Sequence, residues 1–228
     1  MAMLGRAVLA FWHDVAPEAR EEFDHWHIRE HVPERLAVPG FLRFRRYEVV
    51  RGPAAYFYFY ETESVATLSS PAYVARLNDP TPWTRKVLPS YRNTKRTACR
   101  VTATLGDGIG GSVTTLEFGP AAGRADELRD WLTGTALPET MERRRLVGAH
   151  LCEADVEATL VKTTKTTEGK LQDRPDELAR WILLLEAIGP EAAEAAGRDL
   201  LGSEGLGRRG AAADVTTGLY RLHFFQSR

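Results

Sequence analysis

Shifting the 228-residue chain by 105 positions lays Trp26 on Trp131, Pro33 on Pro138 and Glu34 on Glu139. The same shift pairs Val8 with Val113 and Phe23 with Leu128. Matches that include Trp and Pro at one constant offset are the signature of a supersecondary unit written twice. A unit of about 100 residues is also an ordinary domain size. The repeat therefore divides the chain into residues 1–106 and 111–228. Between them runs Gly106 to Gly111, where Gly106, Gly108, Gly110 and Gly111 mark a linker. That linker has neither the Lys-Ser/Thr of a phosphate loop nor a GxGxxG after a strand.

The composition, 43% apolar and 27% charged, is that of a folded globular chain. Thirty basic side chains balance 31 acidic ones, so the broad positive field that nucleic-acid binding requires is missing. The basic runs Arg43-Phe44-Arg45-Arg46 and Arg143-Arg144-Arg145 read as solvated strand edges or a helix end rather than a phosphate site. The two cysteines, Cys99 and Cys152, lie in apolar runs without CxxC spacing, which fits a reducing compartment. No apolar run approaches the roughly 20 residues that span a bilayer. The opening residues are too short and wrongly flanked for a signal peptide. A cytoplasmic protein with neither nucleic acid nor membrane as partner is expected.

Periodicity supplies the elements. Residues 6–12 form an apolar strand, and Pro17 with Glu18, Glu21 and Glu22 opens a helix that fades around Pro33 to Leu36. Strands follow at 41–50 and 55–61, a second helix over about 64–78, a short helical segment from Trp83 to Tyr91, and a strand at 94–105. The second half reads as strand 112–118, helix 123–145 and strand 146–155. Then come a strand over 180–186, an Ala-rich helix at 190–202, a loop at 202–213 and a closing strand at 217–226. Residues 157–178, rich in Thr, Lys and Glu, are an insertion absent from the first half and read as a mobile surface loop or ribbon. Each half has the order β-α-β-β-α-β, the ferredoxin-like unit.

A four-stranded sheet with helices on one side leaves its other face bare. Residues 181–185 are apolar on both faces, so that bare face must also be covered. Packing the two antiparallel sheets face to face covers both, giving an α+β fold: a tandem duplication that forms an intramolecular dimeric α/β barrel. Self-association into a homodimer through exposed strand edges is the open alternative.

Within residues 23–47, Glu30-His31-Val32-Pro33 leads to Pro39-Gly40-Phe41 and a strand ending at Tyr47. This resembles the helix-to-strand segment of EthD-like proteins and related dimeric α/β-barrel families. Ser70-Pro71-Ala72-Tyr73 and Pro82-Trp83-Thr84-Arg85 look like a bacterial branch of that group. The resemblance covers about 90 residues of the first half, and the second only in outline. It implies the fold, and a range of activities: cofactor-independent monooxygenases, polyketide cyclases, lactone isomerases, haem-degrading enzymes, and members with no activity.

His31 is the first chemical candidate, expected at the C-terminal end of the first helix, at the mouth of the barrel. A helix C-terminus favours imidazolium, and an imidazole there exchanges protons near neutral pH. Its position in the second half is Ala136, while the flanking Pro and Glu persist, as though one half carries a site and the other supports it. His27 lies one helical turn earlier, with Glu34 beyond. This spacing can start a metal site, but no third ligand is fixed and HExxH is absent because position 28 is Ile. Tyr56, Tyr58 and Tyr60 share one strand face against Trp181, Leu183 and Leu185 in the second half, offering a hydroxyl-lined pocket wall. Plain core packing is the competing reading. Arg45 would meet an anionic substrate if its face turns inward, and His150 stands at the matching place.

The sequence thus points to a small oxygenated molecule bound in the barrel pocket, with His31 and Tyr58 as catalytic residues. Tyr56, Tyr60, Arg45 and His27 would be its binding residues. The chemistry would be cofactor-independent monooxygenation, isomerisation or cyclisation of an aromatic or polyketide-like compound, with no cofactor or metal required. The alternative is a non-catalytic small-molecule or haem carrier, with His27 or His31 as the haem ligand.

Overall fold

Alternation along residues 56–62 sends Tyr56, Tyr58 and Tyr60 to one face of a strand and Phe57 and Phe59 to the other. How the strands assemble decides what each face meets. A computed structural model describes residues 3–171, 181–202 and 205–228, with the backbone alone for 161–165. The first half runs β1 (Ala7–Val15), α1 (Arg20–Trp26), α2 (Val32–Ala37), β2 (Phe41–Arg51), β3 (Tyr56–Thr62), α3 (Pro71–Asn78), α4 (Pro82–Val87) and β4 (Tyr91–Leu105). The second runs β5 (Ser112–Phe118), α5 (Ala125–Trp131), α6 (Leu137–Met141), β6 (Leu146–Ala154), α7 (Val156–Lys165), β7 (Trp181–Ala187), α8 (Pro190–Leu201) and β8 (Thr216–Ser227).

The eight strands close into one antiparallel barrel in the order β1-β3-β2-β8-β5-β7-β6-β4, with β4 returning to β1. The expected α+β barrel is present, and its two facing sheets are joined edge to edge into one closed sheet. β2 pairs with β8 and β4 with β6, so edge strands of the two halves hydrogen-bond to each other. The physical reason is that an unpaired edge leaves a row of backbone donors and acceptors unsatisfied, and closure removes it. Closure also removes the free edges through which self-association was expected.

The first helix contains a π-helical turn, His27–His31, between α1 and α2. The second half has the same turn at Leu132–Ala136, between α5 and α6. In both, a proline stands two residues past the turn (Pro33 and Pro138), where its missing N–H breaks the α-helical ladder, and a wider turn absorbs the defect. Gly40 then turns the chain into β2 at φ +89°, and a Cβ there would collide with the Thr67 side chain. The helix expected over 64–78 is broken into a 3-10 turn, Val65–Ser69, and α3. Ser70, held extended before Pro71, ends the first piece and caps the second by accepting from the Tyr73 N–H.

The insertion also differs from expectation. Asp155 caps α7 by accepting from the Ala158 N–H, and α7 leads to a 3-10 turn, Glu168–Leu171. This segment lies over the first half, where Ala158 and Leu171 pack into the layer beneath its helices. Residues 172–178 of the expected insertion lie outside the described residues, as do 180 of the expected strand and 203–204 of the expected loop.

The barrel interior is filled by side chains from both halves, among them Trp12, Phe57, Phe59, Val113, Ile182 and Leu184. Trp12 and Phe57 stack at 4.8 Å. A buried charged network crosses this interior. Arg45 donates to Glu61 at 2.8 Å and to Glu186 at 2.6 Å, and Arg43 donates to Glu61 at 2.7 Å. His150 lies 3.1 Å from Glu186, and the Gly110 N–H donates to the other Glu186 oxygen at 2.8 Å. The reading of Arg43 and Arg45 as solvated is therefore corrected: two buried glutamates supply the counter-charge that burial demands. Burial would raise the Glu186 carboxyl, but Arg45 and His150 hold it down at about 2. Among the described residues no helix is long and apolar enough to cross a membrane.

Candidate functional site

The barrel does not contain the expected pocket. Tyr58 and Tyr60 pack with Leu9, Phe11 and Val32 in the layer between the first sheet and its helices, while Phe57 and Phe59 take the interior. The strand's period of two ties these choices together: with Phe57 and Phe59 in the interior, Tyr56, Tyr58 and Tyr60 must face the helices.

His31 is likewise placed differently from expectation. It sits in the π-helical turn with α2 still to follow, so it neither ends the helix nor lies at a barrel mouth. The widened turn swings His27 and His31 together under the helix. Their rings stack at 5.3 Å, and Trp26 covers His31 at 4.4 Å. His27 is fully buried, with Nδ1 3.3 Å from the Arg46 guanidinium, Nε2 without a partner, and Tyr58 at 5.1 Å. Burial, with the charges of Arg46 and His13, pushes its pKa well down, so it is a neutral imidazole at pH 7.

His31 faces a small cavity bounded also by Arg35, Tyr58, Tyr60, Tyr91 and Glu168. Its volume of about 10 Å³ for the centres of water molecules leaves room for about one water. Arg35 and Glu168, each 2% exposed, form a buried ion pair at its edge. Burial raises the phenols of Tyr58 and Tyr60, which stay protonated and able to donate. The Tyr91 hydroxyl faces that of Tyr58, and the Tyr91 ring stacks on His13 at 4.3 Å.

Of the six residues proposed from sequence, His31, Tyr58 and Tyr60 converge on the cavity, and His27 supports them from behind. Tyr56 belongs to the same layer but packs with Phe23, its ring 5.7 Å from the Arg46 guanidinium. Arg45 lies on the opposite face of the barrel wall, committed to Glu61 and Glu186, and is removed from the site. Glu34 turns to Arg76 at 3.7 Å instead of joining the histidines. Among the described residues no three His, Cys, Asp or Glu side chains gather as metal ligands. Sequence reasoning missed Arg35 and Glu168. Arg35 stands four residues past His31, a spacing that shares a helix face. Glu168 carried no local signal, since its partner is 133 residues away.

The matching layer of the second half holds Leu132, Ala136, Leu183 and Leu185 in an apolar cluster. Thus the places of His27, His31, Tyr58 and Tyr60 are apolar in the second half, and the place of Arg35 is taken by Thr140, which donates to the Ala136 carbonyl at 2.7 Å. A haem does not fit the site: the imidazole faces of His27 and His31 are covered by each other and by Trp26, and the cavity is about 10 Å³, whereas a cofactor cleft needs roughly 300 Å³ or more.

No family model and no curated protein matches the sequence. Solved structures do match the fold. An anthrone oxidase-like protein aligns at 14% identity over 100% of this chain and 95% of its own, with a TM-score of 0.62. A candidate monooxygenase from Fusobacterium nucleatum aligns at 9% identity over 99% and 96%, also with 0.62. A haem-binding protein from Thermus thermophilus aligns at 16% identity over 95% and 91%, with 0.51. At such identities the likeness speaks for fold alone, and that fold is the dimeric α/β barrel.

Proposed function

We propose that the chain is a tandem of two ferredoxin-like repeats, residues 1–106 and 111–228, in which the first carries a catalytic site and the second supports it. Supporting the duplication, both halves place a π-helical turn at the same offset, His27–His31 and Leu132–Ala136. The EthD-like resemblance of residues 23–47 belongs to this reading.

The site binds a small aromatic, oxygenated molecule and performs cofactor-independent oxidation, isomerisation or cyclisation. His31 takes a proton from an activated C–H or phenol of the substrate, Tyr58 and Tyr60 orient its oxygens, and His27 stays neutral behind the ring. An electron-rich carbanion made in this way can react directly with dioxygen. The single observation that carries the reading is that His31, Tyr58, Tyr60 and Arg35 surround one cavity, while the matching places in the second half hold Ala136, Leu183, Leu185 and Thr140, none of them ionisable. Buried polar groups lower stability unless satisfied, so their confinement to one half points to chemistry rather than folding. The anthrone oxidase-like and monooxygenase-like neighbours agree with oxidation.

The test is oxygen uptake with an anthrone as substrate, compared between the natural chain and His31→Ala, with far-ultraviolet circular dichroism as a folding control. Lost uptake in a folded variant supports His31 as the proton-transfer residue. Undiminished uptake removes it from that role.

A further inference from the structure

Two arginines are buried in the first helix-facing layer, and the described hydrogen bonds of both guanidiniums run to the same segment. Arg35 donates through Nη2 to Glu168, and Arg96 donates through Nη1 to the Thr159 carbonyl at 2.7 Å. Both acceptors belong to the stretch 156–171, which stands where the first half has only the short turn between β2 and β3. Several of their other N–H groups are not satisfied. Among the described residues, Arg35 Nη1 and the Tyr60 hydroxyl, which line the cavity, and Arg96 Nε and Nη2, which lie outside it, are buried without a hydrogen-bond partner. At the cavity itself, the spare Arg35 N–H and the Tyr60 hydroxyl are donors that an anion's oxygens can accept from.

From this we infer that the cavity beside His31 takes a small aromatic anion, a carboxylate or phenolate, with Arg35 as its counter-charge, and that Glu168 occupies the anion's place when the site is empty. The inference rests on the proposed site and names its ligand class. Glu168 is a carboxylate against a buried guanidinium, at the edge of a space walled by Tyr58, Tyr60 and Tyr91. An incoming carboxylate that replaces it leaves Arg35 paired, so no bare charge is created in the exchange. A neutral ligand of the same shape would strand Arg35 once Glu168 moved. The Glu168 turn is held by short-range bonds, the part-buried Gly169 N–H to Thr166 at 3.2 Å and the Lys170 N–H to the Thr167 carbonyl at 3.1 Å, and by the exposed Thr167 N–H to Asn78 at 3.0 Å. Withdrawing it also uncovers the aromatic walls, which supplies the space that the present 10 Å³ lacks.

The experiment is calorimetric titration of the full chain with 1-naphthoate and with its neutral isostere 1-naphthamide. Glu168→Gln keeps the shape of the turn and removes the competing charge, so naphthoate should bind at least about tenfold tighter than to the natural chain while naphthamide is unchanged. Adding Arg35→Met should cancel that gain, with thermal midpoints of both variants confirming folded protein. Should Arg35→Met not fold, the same loss is expected from Arg35→Gln, which keeps a polar side chain but removes the charge. Equal affinity of Glu168→Gln for the two ligands, or no gain for naphthoate, overturns the inference. Because the readout is binding, a gain here alongside undiminished oxygen uptake in His31→Ala would retire the catalytic role and leave the anion site standing.

Discussion

The two helix-facing layers of the barrel are built on the same turns but with opposite chemistry. In the first, His31, Arg35, Tyr58 and Tyr60 are buried around a cavity with His27 behind them, and among the described residues Nε2 of His27, Nη1 of Arg35 and the Tyr60 hydroxyl have no hydrogen-bond partner. In the second, Leu132, Ala136, Leu183 and Leu185 stand in the places of His27, His31, Tyr58 and Tyr60 and pack as core, while Thr140 in the place of Arg35 bonds back to the Ala136 carbonyl. Each unsatisfied buried group costs about 1–3 kcal/mol. The first layer thus bears a stability penalty that the second shows to be unnecessary for the fold, and a ligand is what would relieve it.

The largest effect that sharpens this contrast is on turnover. His31→Ala should lower oxygen uptake by about 10²-fold or more, the usual contribution of a positioned acid–base group. Ala136→Ser, at the same position in the second half, should leave it unchanged. Equal losses from both would erase the division of labour. Stability should respond in the opposite sense. Leu183→Ala, in the apolar layer, should destabilise the chain by about 2–5 kcal/mol in urea denaturation. An effect well below that would mean the second layer is not the support described.

Acid denaturation probes the interior that both halves share. Glu186 is held at about 2 in the folded chain, below its ordinary carboxyl value, by Arg45 and His150 acting against burial. A depressed carboxyl stabilises fully above about pH 4.5 and loses that contribution, on the order of 3 kcal/mol, as pH falls towards 2. Glu186→Gln should flatten this part of the stability–pH curve. An unchanged acid limb would place the acid sensitivity elsewhere. The smallest expected effect returns to the first layer. Tyr60→Phe removes a hydroxyl without a partner and should leave stability unchanged or raise it by about 1 kcal/mol in thermal melts, while weakening ligand binding. A marked destabilisation would show that the hydroxyl serves the fold.

Much of this architecture is legible in local sequence, and the misses share a cause. β5 falls at 112–118 as expected, because an apolar run bounded by a Gly-rich linker has few other solutions. The tyrosine alternation was equally legible, but which face turns inward was not, since a period of two says nothing about direction. Strand closure, β2 to β8 and β4 to β6, depends on backbone groups that carry no residue signature. Within the site, His31, Tyr58 and Tyr60 stood out as polar residues whose second-half positions are apolar. Arg45 was misplaced because its counter-charges, Glu61 and Glu186, come from other strands. Glu168 was invisible for the same reason: a polar insertion reads as surface until its partner, Arg35, is known to be buried.

The account stands on the first helix-facing layer being a ligand chamber, and a crystal structure of Glu168→Gln grown with 1-naphthoate tests it most directly. It should show the naphthoate carboxylate on Arg35 and the ring between His31 and the tyrosines, with the Glu168–Leu171 turn displaced. Naphthoate lodged in the second layer or the barrel interior, with that turn unmoved, would contradict it.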